Sequence, residues 1–319
     1  MTALDRLPPL ATTGVGSLPF AEPKAAVRHA ARAYELPFCP QLPQLDGDMV
    51  RQWLGGDPGR CGWNADRDRQ RPAAWDAFVA QLTAKPPEHR VVKLQVTGPV
   101  TLAVALERAT GGIGAGSRSL ALAGEIAQWL AASAQEQVER LGALGLDVLL
   151  VIDEPGLAAA GISGADVGVW HLLRDAGASA CGLHVCGAVP WGVIDASDLD
   201  LLSFDVARYG LEPHARRALR RLLGRGGRIA WGALDPVDPG DAGDVTGVLA
   251  GALAALAGPA LPLDLIARRS LLTPSCGSGR LSERRERLAA ATLEAAAEGT
   301  RAAVRAIAAV PRGAPSRKR

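Results

Sequence analysis

Eight apolar, β-rich runs separated by helical segments predict an α/β fold of the (β/α)8 TIM-barrel class. Two further observations point the same way. The reactive residue types collect at the C-terminal ends of those runs, and 319 residues suit one large α/β domain. The first run covers residues 12–19 and closes on Gly16-Ser17-Leu18-Pro19. An Ala-rich helix follows over 24–34, after Pro23, a residue tolerated at a helix start. The second run is 36–43. Residues 54–71, rich in Gly, Asp, Arg and Trp, lack a helical period and are expected to pass over the barrel mouth. The third run is 91–99. A long helix over 117–144 returns Leu, Ile and Trp at three- and four-residue steps. The fourth run is 147–155, a helix spans 158–176, and the fifth and sixth runs are 178–187 and 199–206. Helices over 214–223, 245–256 and 281–304 frame the seventh run, 228–234, and the eighth, 270–277. Strict alternation of strand and helix argues for a parallel sheet. An open doubly wound sheet is the alternative topology. Residues 1–310 are expected to form the single barrel, and the basic stretch 311–319 a disordered tail.

The formal charge of +2 gives no electrostatic case for a nucleic-acid partner. No basic-then-apolar leader opens the chain, and no apolar run reaches membrane-spanning length without Gly, Pro or charge. A cytoplasmic enzyme that uses neither membrane nor nucleic acid is the expectation. Five cysteines in such a chain do not suggest a disulfide framework. Cys39, Cys61 and Cys181 have no partner pattern, whereas Cys186 and Cys276 keep reactive company.

That company defines the candidate site. His184-Val185-Cys186 places an imidazole and a thiol at i and i+2, on one face of a strand. Ser275-Cys276-Gly277 adds a second thiol at another strand end, and Phe204-Asp205 a carboxylate. One His, two Cys and a weaker Asp form a ligand set suited to Zn²⁺, with three firm positions and one exchangeable one, as in catalytic zinc sites. Such a centre deprotonates an incoming thiol and so prepares a sulfur nucleophile for alkyl transfer. Residues 149–155 imitate the strand that holds Mg²⁺ in ATPases, and residues 111–117 imitate a dinucleotide fingerprint. The first lacks a phosphate-binding loop, and the second follows a helical stretch rather than a strand.

Six motifs, in order, resemble the C-terminal catalytic barrel of cobalamin-independent methionine synthase, within the superfamily that includes uroporphyrinogen decarboxylase. They are Thr13-Gly14-Val15-Gly16-Ser17-Leu18-Pro19, Gln95-Val96-Thr97-Gly98-Pro99-Val100-Thr101, Ile152-Asp153-Glu154-Pro155, His184-Val185-Cys186, Leu202-Ser203-Phe204-Asp205 and Pro274-Ser275-Cys276-Gly277. The resemblance implies zinc ligands at His184, Cys186 and Cys276, with Asp205 where the family has a Glu. It implies that Ser17 and Asp153 hold the amino-acid part of homocysteine, and it makes Asp153 and Asp205 the expected catalytic carboxylates.

Two departures lie on the substrate side. No Glu precedes Asp48-Met49-Val50 as in the family, so Gln44 is the stand-in contact. Gly232-Ala233-Leu234-Asp235-Pro236 lacks the family's folate-side His. The full-length enzymes also add an N-terminal barrel, and this chain resembles the short, single-barrel members. The expected activity is therefore zinc-dependent methyl transfer to a small thiol, homocysteine first, giving methionine. The donor is expected to be other than folate polyglutamate, with a methylcorrinoid or corrinoid protein as the alternative. Two other readings stay open: transfer to another thiol of the coenzyme M type, and a non-catalytic barrel that binds a thiol or corrinoid.

Overall fold

The computed structural model describes residues 2–64, 66–68, 70–112, 117–157, 160 and 167–309. Seven strands are all parallel: β1 (Ala11–Thr12), β2 (Val91–Thr97), β3 (Asp147–Asp153), β4 (Ala180–Val185), β5 (Leu201–Asp205), β6 (Arg228–Leu234) and β7 (Ser270–Pro274). They run in the spatial order β1-β7-β6-β5-β4-β3-β2. The second predicted run, 36–43, fills the gap between β1 and β2 without forming a regular strand. Leu36 N donates to Thr12 O (2.9 Å) and Gln41 N to Gly16 O (3.1 Å) on one side. Lys93 N donates to Pro37 O (2.9 Å) and Cys39 N to Lys93 O (3.2 Å) on the other. Pro37, Pro40 and Pro43 lack the N–H groups a full ladder needs, which accounts for pairing in isolated bridges. The arrangement is the TIM-barrel type expected from the sequence.

Strand composition sorts into two faces. Val148, Leu150, Ile152, Leu183, Val185, Leu202, Phe204, Ile229, Trp231 and Leu272 belong to one large apolar cluster shared with the helices. The alternate positions Val91, Leu149, Val151, Ala180, Leu201, Ala230 and Leu271 form a second, smaller cluster with Leu4 and Leu7. Period-two alternation thus separates an outer shell from the barrel interior. Leu4 lies in the 3₁₀ turn Ala3–Arg6, which plugs the interior at the N-terminal end of the strands, with Leu7 just beyond it.

The predicted helices appear as Pro23–Ala33, Ser117–Gly142, Gly168–Arg174, Pro213–Gly224, Ala242–Leu256 and Glu283–Ala309. Residues 158, 159 and 161–166 of the expected 158–176 helix lie outside the described residues, as do 113–116 of the glycine-rich stretch and the 311–319 tail. Two helices absent from the sequence reading, Trp75–Ala84 and Pro99–Ala109, complete the shell. The first and last predicted helices are locked by a buried carboxylate. Glu286 Oε1 accepts from Tyr34 Oη (2.8 Å) and meets His29 Nε2 at 2.9 Å. Among the described residues, no helix is long and apolar enough to cross a membrane.

The 54–71 stretch differs from expectation. It contains a short helix, Pro58–Cys61, started by Asp57, whose side chain accepts from Gly59 N at 3.0 Å. Arg67 turns back onto Leu54 O and Gly62 O, and its own carbonyl accepts from Trp129 Nε1. The stretch is therefore tied to the helix side of the barrel. Residues 47–53 cover the mouth in its place.

Candidate active site at the barrel mouth

A cavity of about 660 Å³ opens at the C-terminal ends of the strands. Ser17, Asp153, His184, Cys186 and Cys276 all line it. Each follows from strand register. Asp153 pairs with His184 across β3 and β4, and His184 with Ser203 across β4 and β5, so these three sit at adjacent strand ends.

His184 is 4% exposed, and burial pushes its imidazole down to about 3, helped by the Lys93 charge. The ring is therefore neutral. Its Nδ1 meets Ser203 Oγ at 2.8 Å, while Nε2 is buried with no partner among the described residues. A ring fixed at one nitrogen and open at the other is the arrangement of a metal-ligating histidine. An orphaned buried nitrogen is otherwise unfavourable, by about 1–3 kcal/mol.

Cys186 and Cys276 share a hydrogen bond, and their protonation states separate accordingly. Cys276 is drawn down to about 6, first by the bond from Cys186 and then, against burial, by the Gly277 N–H. Cys186 moves up, by that same bond and by burial. The pair is thus biased towards ionisation at Cys276 rather than at Cys186. Among the described residues, no three His, Cys, Asp or Glu side chains are already gathered in a metal-binding arrangement. The donor chemistry nonetheless fits zinc: two sulfurs in contact, one of low proton affinity, and a neutral imidazole with a vacant nitrogen in the same cavity. Loss of the remaining thiol proton would free both sulfurs as ligands.

Asp153 closes the cavity floor. It is 8% exposed, and Oδ1 has no partner among the described residues. Burial raises its carboxyl to about 7, opposed by the Lys93 charge. Lys93 is lowered to about 8 by its own burial. Its Nζ donates to Val15 O (2.6 Å) and Gln95 Oε1 (3.2 Å), which holds the cation inside the barrel. Neighbouring Glu154 faces the other way. Its carboxylate accepts from Val100 N, Thr101 N, Thr101 Oγ1 and Trp170 Nε1 at 2.6–3.1 Å, and so anchors the start of the Pro99–Ala109 helix.

Two expected site residues are placed elsewhere. Asp205 does not line the cavity. It caps the short helix Val206–Tyr209 by accepting from Arg208 N at 2.8 Å, while lying close enough for its charge to oppose ionisation of Cys276. Gln44 also lies off the cavity wall, with Nε2 directed to Pro19 O at 3.4 Å. Lys93, Ser203, Asp235 and Arg280 were not singled out from the sequence. A charge inside the buried run Val91–Thr97 was the available signal for Lys93. The i−2 relation to Asp205 was the signal for Ser203. Arg280 stands in a loop with no periodic signature.

No protein-family model and no curated protein matches the chain. Solved structures do. A B12-independent methionine synthase from Shewanella sp. W3-18-1, in complex with selenomethionine, superposes with a TM-score of 0.63 at 16% identity, over 94% of this chain and 100% of that one. A methyltransferase from Methanosarcina mazei gives 0.56 at 14% identity, over 92% and 96%. The chain has the barrel fold of these two enzymes. At that identity the likeness concerns the backbone, and the reading of function rests on the residues described above.

Proposed function

We propose that this protein is a zinc-dependent methyltransferase that moves a methyl group onto a small thiol, with homocysteine as the acceptor and methionine as the product. One observation carries the reading. Cys186 and Cys276 line the same cavity as His184, whose buried Nε2 has no partner among the described residues. His184, Cys186 and Cys276 would hold the ion, and when bound it would supply the charge that keeps the acceptor sulfur as a thiolate at neutral pH. Ser203 fixes the tautomer and orientation of His184. Asp153 offers an unpaired carboxylate oxygen to the acceptor's ammonium, and Ser17 an O–H to its carboxylate. Asp205 acts from outside the cavity wall. The protein's own contribution is to place sulfur and methyl donor in line and to limit water around them. The donor is one other than folate polyglutamate, such as a methylcorrinoid or a corrinoid protein, a reading supported by residues 232–236, which lack the folate-side histidine that the resemblance leads one to expect. Both named neighbours being methyl-transfer enzymes also supports the reaction class.

Metal analysis of the wild type and Cys276→Ser, paired with methyl transfer to homocysteine from methylcobalamin and from methyltetrahydrofolate, tests this. The expected result is about one zinc per chain, lost on substitution because a hydroxyl replaces a thiolate ligand, and turnover with the corrinoid donor. Efficient turnover with folate alone would reject the donor assignment. Full zinc occupancy without any transfer would favour the non-catalytic thiol-binding barrel. Zinc retained in full by Cys276→Ser would reject the metal centre.

A further inference from the structure

Among the charged side chains of the cavity wall, one exposed cation has no partner within bonding distance among the described residues. The charged side chains along its wall, besides the thiol pair, are Asp48, Arg51, Asp153, Asp235 and Arg280. Asp48 caps the helix Met49–Leu54, accepting from Val50 N and Arg51 N. Arg51 binds Asp57 at 2.9 Å and lies 3.8 Å from Asp48. Asp235 accepts from Val237 N at 2.9 Å. Arg280 has no hydrogen bond, ion pair or ring contact among the described residues, although it lies on the cavity wall. A guanidinium beside a cavity with no internal carboxylate partner is available to a carboxylate or sulfonate brought in from outside.

Its position is built by the backbone. The loop Gly277-Ser278-Gly279 lies directly on the Ser17 turn: Ser278 N donates to Ser17 O (3.1 Å) and Gly279 N to Ser17 Oγ (3.3 Å). A Cβ at position 277 would come within 2.1 Å of Ser17 Oγ, and one at 279 within 2.6 Å of Pro43 Cγ. Glycine permits this approach, which carries the backbone leading into Arg280 against the Ser17 turn, and both residues line the cavity. Because Ser17 Oγ accepts from Gly279 N, its own proton remains available to donate to a group on another side. Asp153, whose buried Oδ1 has no partner among the described residues, lines the same cavity.

We infer that Arg280, with the Ser17 hydroxyl, is the acid-recognition point for the thiol acceptor and selects thiols that carry an anionic group. The inference rests on the thiol-acceptor reading above and assigns a specificity residue within it. Arg280 binds substrate and takes no part in methyl transfer itself.

Calorimetric titration of the zinc-loaded protein with three thiols tests it: homocysteine, 3-mercaptopropionate (acid, no amine) and 3-mercaptopropylamine (amine, no acid). Arg280→Gln is expected to weaken the two acids about tenfold or more, the scale of a lost charge-assisted pair, and to leave the amine within about twofold. Arg280→Lys should recover part of the loss, because it returns charge without the planar fork. Equal weakening of all three thiols, or no change in any, overturns the assignment, as does a wild type that binds none of them. Binding of 3-mercaptopropionate that depends on Arg280, with no binding of homocysteine, would sink homocysteine as acceptor and leave Arg280 in its role.

Discussion

Along β3 the inward face reads Leu149, Val151, Asp153. Along β4 it reads Ala180, Gly182, His184 and, just past the strand, Cys186. Along β5 it reads Leu201, Ser203, Asp205. The same three strands are thus apolar where Leu4 and Leu7 seal the barrel, and polar where the cavity opens. At the sealed end every side chain has an apolar neighbour. At the open end His184 Nε2 and Asp153 Oδ1 have no partners among the described residues, against the rule that buried polar atoms are satisfied. Local dissatisfaction at one end, tolerated because the other end is well packed, marks where an external group is meant to bind.

The largest effect should come from damage to the sealed end. Leu149 is fully buried, so Leu149→Ala is expected to cost about 2–5 kcal/mol of folding stability in urea, from lost transfer energy plus the cavity left behind. Zinc stoichiometry should stay the same in the folded fraction, because the ligands sit on later residues of the strands and in the loops. A variant of normal stability that fails to bind zinc would break the division between the two ends.

Much of this division was legible before any coordinates. Apolar runs ending in Ser17, Asp153, His184, Cys186 and Cys276 placed these residues at one end of one sheet, because strand periodicity and parallel alternation are local signals. The second run was legible as a barrel position, but its three prolines hid how weakly it pairs. The helices Trp75–Ala84 and Pro99–Ala109 were missed because their positions lie between stronger signals, and the second opens directly on the strand end at Thr97-Gly98-Pro99. The environment of each side chain was not legible. Nothing local to Gln44 shows its amide turned to Pro19 O, and the cap that Asp205 makes to Arg208 N, though local, begins a helix of four residues too short to leave a periodic signal. Lys93 could be seen as a charge in an apolar strand. Its link to Asp153 depends on the pairing of β2 with β3, which brings residues 60 positions apart together.

An intermediate effect sharpens the comparison from within the open end. Ser203→Ala removes the 2.8 Å partner of His184 Nδ1 and leaves all three proposed ligands in place. Zinc affinity, measured by competition with a chelator, is expected to fall about 10–100-fold, the usual cost of losing a hydrogen bond behind a ligating imidazole. An unchanged affinity would mean that packing alone orients the ring.

The smallest effect should come from Asp205, and it decides which side of the cavity wall that carboxylate serves. Its Oδ1 is already committed to Arg208 N, and Asn keeps a capping oxygen at the same position, so Asp205→Asn should fold with nearly wild-type stability. If the carboxylate acts only through its field, losing the charge should change zinc affinity by no more than about threefold, because a partly solvated charge interacts weakly at a distance. The thiols should respond in a definite direction. Asp205 opposes ionisation of Cys276, so the neutral amide should lower the pH at which that thiol reacts with an alkylating reagent in the metal-free protein. A loss of zinc affinity beyond tenfold, with the thiol unmoved, would instead put Asp205 on the metal and require the Val206–Tyr209 helix to give up its cap when the ion binds.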